Sequence, residues 1–423
     1  MSFPRYPAYR DSGVAWLGEV PEHWDVAPLK RVLSLQNGSD HKHIKCLDGY
    51  PVIGSGGPFA CASEFMHDGE SVLLGRKGTI DKPLYVSGKF WTVDTMYWSK
   101  IQPGAFGRFA FYSALTIPFA YYSTNTALPS MTKSVLEAHL LGIPPEKEQI
   151  AIAQFLDRET AKIDALVAEQ ERLIELLKEK RRAVISHAVT KGLDPSAPMK
   201  DSGVEWLGEV PAHWDVTTIK RIVSTPVTDG PHETPVFLDE GVPFVSAEAV
   251  SSGRIDFERI RGFISLEDHR RFSQKYIPQR DDIFMIKSGA TTGVSAIVET
   301  DLEFNIWSPL AVIRCGPDVL PKFALHFIRS RNFLEGVTLG WSFGTQQNIG
   351  MGVIENLSMV VPPLEAQVEI VEVLDKYADQ ADALIAEAER AIAILQERRT
   401  ALISAAVTGQ IDVRDLASSE AAA

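Results

Sequence analysis

The chain has 423 residues, of which 45% are hydrophobic, and its formal net charge is −13. This length allows two or three domains with their own cores, and the composition excludes a fibrous or largely disordered protein. No apolar run is long enough for a membrane helix, the first residues lack the apolar stretch of a signal peptide, and three widely spaced cysteines argue against a disulfide framework. We therefore expect a cytoplasmic protein.

The acidic balance argues against tight, non-specific binding to nucleic acid, because such binding depends on basic surfaces. The charge is unevenly distributed, however. Residues 23–142 contain 11 Lys and Arg against 9 Asp and Glu, whereas residues 361–408 contain 4 against 9. If the chain binds DNA, we expect basic partner subunits to supply part of the phosphate contact.

The first segment along the chain occurs twice. Residues 11–26 read DSGVAWLGEVPEHWDV, and residues 201–216 read DSGVEWLGEVPAHWDV, an offset of 190. A second repeat relates residues 144–190 to residues 362–408 at an offset of 218, so the material between the repeats is 28 residues longer in the second copy. A constant frame with inserts of different length indicates a fixed scaffold that carries exchangeable recognition domains.

Between the repeated segments, residues 23–142 and 213–360 are predicted to form globular α+β domains. Short β-rich runs such as 71–74 and 282–286 are separated by clusters of Gly, Pro, Asn and Asp, and a helical stretch follows at 322–333. This alternation of short strands and turn residues is typical of sheets, and the later helical stretches make the class α+β.

Residues 147–190 and 365–408 are predicted to be long helices, each spanning roughly 60 Å at ~1.5 Å per residue. Apolar and small residues recur at alternating steps of three and four, which is coiled-coil spacing. Each helix begins after a Pro-Pro pair and ends before a glycine, Gly192 or Gly409. Small residues in one helix are equivalent to larger ones in the other, which predicts that the two helices pack against each other.

With these repeats in view, the chain resembles the specificity subunit of Type I restriction–modification systems. The resemblance rests on the two DSGV-x-WLGEVP-x-HW segments and on the Pro-Pro-x-x-x-Gln starts of the helices at 144–149 and 362–367. It covers nearly the whole chain. Ala366 departs from the pattern, because the family usually has Glu there; Glu148 keeps it in the first copy.

The resemblance implies two target-recognition domains that each read half of a bipartite DNA site. It also implies that the two helices form an antiparallel coiled coil with pseudo-two-fold symmetry, which acts as a molecular ruler. The implied order is a leading segment (1–22), target-recognition domain 1 (23–142), a central helix (143–191), a second leading segment (192–212), target-recognition domain 2 (213–360), a C-terminal helix (361–408) and a tail (409–423).

The resemblance further implies partners and the absence of catalysis in this chain. Two methyltransferase (modification) subunits and two restriction/translocase subunits would assemble with it on double-stranded DNA. S-adenosylmethionine, ATP and Mg²⁺ would be bound by those subunits, and no cofactor by this one. The residues agree, since the sequence has neither a phosphate-binding P-loop nor the Asn/Asp-Pro-Pro-aromatic loop of adenine methyltransferases. We predict no catalytic residue.

A basic, Gly-rich turn that follows a strand is the leading DNA-contact candidate in each domain, because it can present donors to phosphates or base edges. Polar segments shortly before the last strand are the second candidate. The predicted DNA-contacting residues are Arg76, Lys77, Thr79, Lys82, Asn125 and Thr126 in the first domain and Lys287, Ser288, Thr291, Thr292, Thr345, Gln346, Gln347 and Asn348 in the second. The alternative is that they are ordinary solvated turn and cap residues.

Two further groups have competing interpretations. The tryptophans of the leading segments either pack on their own domains or help to bind the methyltransferase, since Trp is favoured at interfaces; they are Trp16, Trp24, Trp206 and Trp214. A zinc site can be imagined from His41, His43, Cys46, Cys61 and His67, but their spacing matches no familiar ligand pattern. We predict no metal, and loop histidines that reach phosphate or base are the preferred interpretation.

The repeat makes two predictions about arrangement. Because the segments before the two domains are equivalent, the tail after Thr408 should lie near the N-terminus. Because the inserts differ, the DNA site should be asymmetric, with half-sites ~10 bp apart if both are read from one face. The main rival is a coiled-coil scaffold that binds protein partners.

Overall fold

The computed structural model describes residues 3–122, 129–340 and 348–414. They form two compact units, residues 1–171 with 389–423 (unit 1) and residues 172–388 (unit 2). Each unit therefore contains one globular domain and a part of each long helix. The predicted α+β class is confirmed.

Unit 1 consists mainly of short strands, with three short helices late in its globular domain. The strands are β1 (Tyr9–Asp11), β2 (Glu19–Pro21), β3 (Asp25–Pro28), β4 (Leu33–Asn37), β5 (Lys45–Cys46), β6 (Tyr50–Gly54), β7 (Gly57–Ala62), β8 (His67–Asp68), β9 (Ser71–Gly75), β10 (Leu84–Val86), β11 (Lys89–Thr92), β12 (Met96–Ile101) and β13 (Leu140–Ile143). The short helices are α1 (Gly107–Ala114), α2 (Phe119–Tyr122) and α3 (Lys133–Ala138), and the first long helix is α4 (Glu146–Lys191).

The central sheet of unit 1 has the order β10-β9-β12-β4 and is antiparallel, and a second sheet has the order β5-β7-β6-β11-β8 with one parallel pair, β6 and β11. Side chains on β9 alternate between two cores. Val72 and Leu74 pack into one apolar cluster, and Leu73 packs into another on the opposite face. A strand covered on both faces explains why this run is continuously apolar.

Unit 2 repeats this plan with different strands. They are β14 (Met199–Asp201), β15 (Glu209–Pro211), β16 (Asp215–Thr218), β17 (Thr228–Asp229), β18 (Val242–Val245), β19 (Phe263–Ile264), β20 (Ile283–Ile286), β21 (Ser295–Ile297), β22 (Asn305–Ile306), β23 (Leu310–Ile313) and β24 (Ser358–Val361). The helices are α5 (Ile219–Ile222), α6 (Ala247–Val250), α7 (Leu266–Ser273), α8 (Pro321–Ile328), α9 (Arg331–Leu339), α10 (Met351–Asn356) and the second long helix α11 (Leu364–Val407).

The main sheet of unit 2 has the order β17-β23-β20-β21, and its central strand β20 again has two buried faces. Ile283 and Met285 pack into one cluster, and Phe284 and Ile286 into the other. A strand next to each long helix then closes each globular domain, because β13 pairs with β3 in unit 1 and β24 pairs with β16 in unit 2.

The long helices are paired in each unit, and both pairs run antiparallel. In unit 1 the early part of α4 packs against the end of α11, and Asp164 accepts from Arg399 Nε at 2.8 Å. In unit 2 the late part of α4 packs against the start of α11, and Arg181 donates to Asp382 at 2.6 Å. The offset of 218 makes Asp164 equivalent to Asp382 and Arg181 to Arg399. Both units therefore contain the same ion pair, and the predicted antiparallel pairing is confirmed.

The tail lies beside the N-terminal segment, as the repeat predicts. The Asp412 N–H donates to the Pro4 carbonyl at 2.8 Å, and the Tyr9 hydroxyl donates to the Gly409 carbonyl at 3.0 Å. Val413 is fully buried in the cluster that holds the helix pair of unit 1. Over the described ranges, no helix combines the length and the apolar character that a membrane span requires.

Candidate nucleic-acid interface

The basic turn of unit 1 begins where β9 ends, and backbone hydrogen bonds fix both of its sides. The N–H groups of Arg76 and Lys77 donate to the Thr95 carbonyl at 2.8 and 3.2 Å, and the Arg76 carbonyl accepts from the Met131 N–H at 3.0 Å. An isolated bridge pairs Lys77 with Ser130. The turn thus lies directly against the chain that follows the predicted polar segment.

The side chains of this turn differ in how far they are exposed to solvent. Arg76 is half-buried; its guanidinium lies 5.9 Å from the centre of the Tyr97 ring and donates to the Asp94 carbonyl at 3.3 Å. The other predicted contacts are exposed, namely Lys77, Thr79 and Lys82. Two exposed ammonium groups on a fixed backbone are suited to contact phosphates or guanine edges.

The turn of unit 2 has the same backbone scheme after β20. The Lys287 N–H donates to the Pro309 carbonyl and the Lys287 carbonyl accepts from the Ile349 N–H, both at 2.8 Å. Ser288 pairs with Asn348 in an isolated bridge, as Lys77 does with Ser130. The loose alignment of the two turns in the sequence therefore matches an equivalent placement in the structure.

Lys287 itself is held by an acidic partner that the sequence did not reveal. Its ammonium group donates to Asp229 at 2.7 Å and is 13% exposed, while Lys275 donates to the other carboxylate oxygen of Asp229 at 2.5 Å. Burial alone would raise the pKa of Asp229, but the hydrogen bonds from Lys275 and Lys287 outweigh it and lower that pKa. Lys287 is consequently less available to DNA than Lys77 or Lys82.

The hydroxylated part of this turn is also engaged with its own backbone. The Thr292 hydroxyl donates to the Gly289 carbonyl at 2.6 Å, and Gly289 has a φ of +98°, which favours glycine. Thr291 and Ser288 are half-exposed. Five predicted contacts lie outside the described residues: Asn125, Thr126, Thr345, Gln346 and Gln347.

Two of the four tryptophans lie against their domains with part of the ring exposed. Trp16 is 38% exposed and stacks on His139 with ring centroids 4.6 Å apart. Trp206 packs edge-to-face with Phe333 and lies against Gly336, where a Cβ would come within 2.6 Å of the indole. Gly336 is therefore required for this contact.

The other two tryptophans are buried inside their units. Trp24 is 1% exposed and Trp214 is 2% exposed. The Trp24 indole N–H donates to Glu148 Oε1 at 2.9 Å, which joins the leading segment to the start of α4. Packing on the chain's own core accounts for both residues.

A buried glutamine at the start of each long helix fixes the neighbouring globular domain. In unit 1 the Gln149 side chain accepts from the Phe106 N–H at 2.8 Å and donates to the Gly104 and Pro144 carbonyls. Gln367 does the same in unit 2, accepting from the Leu320 N–H at 2.8 Å. It donates to the carbonyls of Asp318 and Pro362. The repeated Pro-Pro-x-x-x-Gln motif marked these glutamines in the sequence, but only the folded structure shows which groups they bind.

An aspartate two turns further along each helix makes a second connection. Asp157 binds Arg108 and accepts from the Tyr112 hydroxyl at 2.7 Å, both on α1. Its equivalent, Asp375, accepts from Lys322 on α8 at 2.8 Å. The repeated Leu-Asp pairs at 156–157 and 374–375 carry this role, which sequence reasoning also missed.

The imagined zinc ligands are dispersed over the first domain. Cys46 and Cys61 lie opposite each other on β5 and β7, whereas His43 packs against Trp91 and His67 against Trp98. His41 packs edge-to-face with Phe59. Among the described residues, no group of three His, Cys, Asp or Glu side chains is arranged to hold a metal ion.

Each unit contains an α+β domain that carries a polar or basic turn and is hydrogen-bonded to the start of a long paired helix. Two such units define a modular recognition protein with two recognition domains. The family model for the Type I restriction modification DNA specificity domain matches residues 21–176 and 218–393. The chain belongs to this family, and the predicted resemblance is confirmed.

Individual relatives agree with this assignment. The chain is 23% identical over 354 residues to the EcoBI type I restriction enzyme specificity subunit of Escherichia coli, covering 81% of this chain and 74% of that protein. It is 22% identical over 435 residues to the EcoKI specificity subunit of Escherichia coli strain K12, covering 93% and 90%.

Solved structures show the same fold at lower identity. One is a chain solved in a study of complex assembly and conformational transition of the type I restriction–modification system, with a TM-score of 0.69, 17% identity, and coverage of 92% of this chain and 98% of that one. The HsdS subunit from Thermoanaerobacter tengcongensis gives a TM-score of 0.50 at 16% identity, with the same coverage.

Proposed function

We propose that this chain is the DNA-specificity subunit of a Type I restriction–modification complex and reads an asymmetric, bipartite site. Each globular domain reads one half-site. The observation that carries the proposal is that the two globular domains attach to their long helices in the same way, whereas the turns that are predicted to contact DNA differ. Gln149 and Gln367 fix the two domains in the same way, whereas the exposed Lys77 of the first turn has the half-exposed Ser288 as its counterpart in the second. The lysine that the second turn does contain, Lys287, is bound to Asp229.

The chain contributes recognition and placement, and its partners contribute the chemistry. Two methyltransferase subunits and two restriction/translocase subunits bind to it, and they hold S-adenosylmethionine, ATP and Mg²⁺. The net charge of −13 supports this division, because basic partner surfaces are then needed for much of the phosphate contact. Of the four tryptophans, Trp16 and Trp206 are the candidates for partner contact, because part of each ring is exposed. The complex acts in the cytoplasm.

Genome-wide mapping of methylated adenine tests the function. Deletion of this chain should remove methylation at one bipartite motif, and re-expression should restore it. An unchanged methylation pattern, with co-purification of proteins unrelated to methyltransferases, would instead establish the scaffold alternative.

A pair of substitutions tests the reading turn of unit 1. Lys77→Ala with Lys82→Ala should weaken binding of the bipartite duplex by roughly 10- to 100-fold, if each exposed ammonium contributes about 1 kcal/mol. Lys42→Ala with Lys45→Ala is the matched control, because it removes the same charge from the same domain outside the turn. Electrophoretic mobility shifts at fixed salt measure both. Equal losses in the two variants would show that the turn has no special role.

A further inference from the structure

A buried carboxylate organises the start of the first long helix. Glu148 is 7% exposed and its two oxygens have three partners, the Trp24 indole N–H at 2.9 Å, the Tyr6 hydroxyl at 2.6 Å and His23 Nε2 at 2.8 Å. Burial and then the hydrogen bond to Glu148 raise the pKa of the Tyr6 hydroxyl, so it stays protonated and donates.

An aromatic ring fills the rest of this site. Tyr6 is 4% exposed, and its ring lies 5.8 Å from the Trp24 ring and 5.7 Å from the His23 ring. The donors of the leading segment thus enclose one phenol ring and one carboxylate, both supplied by the chain itself.

Unit 2 keeps the donors but lacks both groups that fill the site in unit 1. His213 and Trp214 are equivalent to His23 and Trp24, whereas Ala366 replaces Glu148 and Ser196 replaces Tyr6. The backbone is nevertheless the same in both units two residues after Ser196 and Tyr6. There the Ala212 N–H donates to the Pro198 carbonyl, as the Glu22 N–H donates to the Ala8 carbonyl.

The Trp214 ring also packs against a glycine just after a long helix, as the Trp24 ring does. A Cβ at Gly192 would lie 3.1 Å from Trp214 Cζ2, and a Cβ at Gly409 would lie 3.2 Å from Trp24 Cη2. Trp214 and His213 line the same cavity as Ala366, which stands where unit 1 has its carboxylate. Within the described part of the chain, the Trp214 indole N–H and the His213 ring have no hydrogen-bond partner; the Trp214 side chain as a whole is 2% exposed, but its N–H is not fully buried.

A cavity of about 320 Å³ occupies this place. Its lining includes Lys191, His213, Trp214, Ala366 and Ile370. Two acidic residues also border it. Asp194 is bound by the Ser196 N–H and hydroxyl at 2.8 and 2.6 Å, and Glu369 is exposed at the rim. The wall thus combines apolar side chains with two donors, the Trp214 indole N–H and the His213 ring.

We propose that this cavity of unit 2 is a binding site for an aromatic carboxylate. The carboxylate would accept from Trp214 and His213 as Glu148 accepts from Trp24 and His23, with Lys191 nearby. The ring would occupy the volume that Tyr6 fills in unit 1. A charged acceptor on the Trp214 N–H is the main source of selectivity, because hydrogen bonds to an ionised group are stronger than those to a neutral one.

Benzoate is the probe, and the indole N–H signal of Trp214 in an NMR spectrum of the full-length chain is the readout. Trp214→Phe assigns the signal among the 8 tryptophans. Benzoate should shift it saturably, with a Kd of about 1 mM, the order expected of a fragment-sized ligand. Benzamide, which has the same shape without the charge, should shift it much less. The Trp24 signal should not respond.

Ala366→Glu is the matched variant, because it places the chain's own carboxylate where unit 1 has Glu148. It should move the Trp214 signal in the direction that benzoate does and abolish the benzoate response. An equal response to benzamide, or no saturable response in the wild type and in its complex, would overturn the proposal. So would a Trp214 signal that moves on Glu369→Gln and ignores benzoate, since Glu369 would then be the acceptor.

A second arm identifies the source of the carboxylate. In the complex with methyltransferase subunits that the proposed function assigns, a partner segment that places an acidic and an aromatic side chain in the cavity should shift the Trp214 signal without benzoate, and Ala366→Glu should weaken assembly. A small-molecule ligand should leave assembly unchanged and the benzoate response intact. Because the isolated chain is tested first, failure of the proposed function does not affect the first arm.

Discussion

Neighbouring residues at the start of α4 have separate tasks. Glu148 binds three side chains of the leading segment, whereas Gln149 binds backbone groups at the start of α1. In unit 2 the glutamine is kept as Gln367 and the glutamate is replaced by Ala366. The attachment of the globular domain to the helix is therefore common to both units, but the attachment of the leading segment is not.

Removal of the buried carboxylate should destabilise unit 1. Glu148→Ala leaves the Trp24 N–H and the Tyr6 hydroxyl without their acceptor, and each unsatisfied buried donor costs about 1–3 kcal/mol. We expect the free energy of unfolding to fall by roughly 2–4 kcal/mol, measured by urea denaturation. Glu148→Gln keeps an acceptor and should lose less. Equal losses for the two variants would contradict the assigned role.

A buried histidine should make unit 1 sensitive to acid. His139 is 2% exposed and lies beside the Tyr122 hydroxyl at 3.0 Å, and burial lowers its pKa to about 4. The unfolded chain takes up the proton near pH 6.5, whereas the folded chain does so only near pH 4. The stability that depends on neutral His139 is therefore complete above pH 6.5 and lost progressively as the pH falls to about 4.

The loss over this range should be about 3 kcal/mol at most, from the difference between the two pKa values. His139→Phe keeps a ring against Trp16 and cannot titrate, so its curve of unfolding free energy against pH should be flatter between pH 6.5 and 4. Chemical denaturation at a series of pH values measures both proteins. Parallel curves would show that His139 is not responsible.

At the scale of elements, the long helices were the most predictable part of the chain. The predicted ranges 147–190 and 365–408 compare with Glu146–Lys191 and Leu364–Val407 in the structure. The Pro-Pro pair precedes each helix, as predicted, because proline lacks the N–H that a helix interior requires. The exposed ion pairs of Asp164 and Arg181 align the two helices more than they stabilise them, since surface pairs contribute only about 0–1 kcal/mol.

Lengthening both helices tests the predicted ruler. Insertion of four residues, about one turn or ~6 Å, between Arg172 and Leu173 and between Arg390 and Ala391 extends equivalent points of the two repeats. If the helices set the separation of the half-sites, the preferred spacer should grow by about 1–2 bp at ~3.4 Å per base pair. Mapping of methylated adenines measures the spacer. An unchanged motif in a folded, active complex would refute the ruler.

A variant with the same four residues as substitutions serves as the control, because it changes the sequence and keeps the length. It should retain the original spacer. This comparison separates an effect of helix length from an effect of altered helix surface.

On the scale of the whole molecule, repetition carries the identification. Two offsets, 190 and 218, separate a constant frame from variable inserts, and a residue's counterpart can be found by adding one number. This relation pairs Asp164 with Asp382 and Gln149 with Gln367, and in both cases the structure gives the two residues the same contact. It also pairs Asp157 with Asp375, which each bind a basic side chain on a helix of their own globular domain. The exception, Glu148 against Ala366, locates the cavity of unit 2.

The sequence alone determined the repeat, the family, the α+β class, the two long helices and the position of the tail beside the N-terminus. These depend on periodicity and on local start and stop signals, which neighbouring residues encode. It could not show that Lys287 is bound to Asp229, that Trp24 and Trp214 are buried, or that Gln149 and Gln367 fix the domains. Those properties depend on residues tens of positions apart that only the folded chain brings together, and burial and pairing then decide which charges remain free to bind.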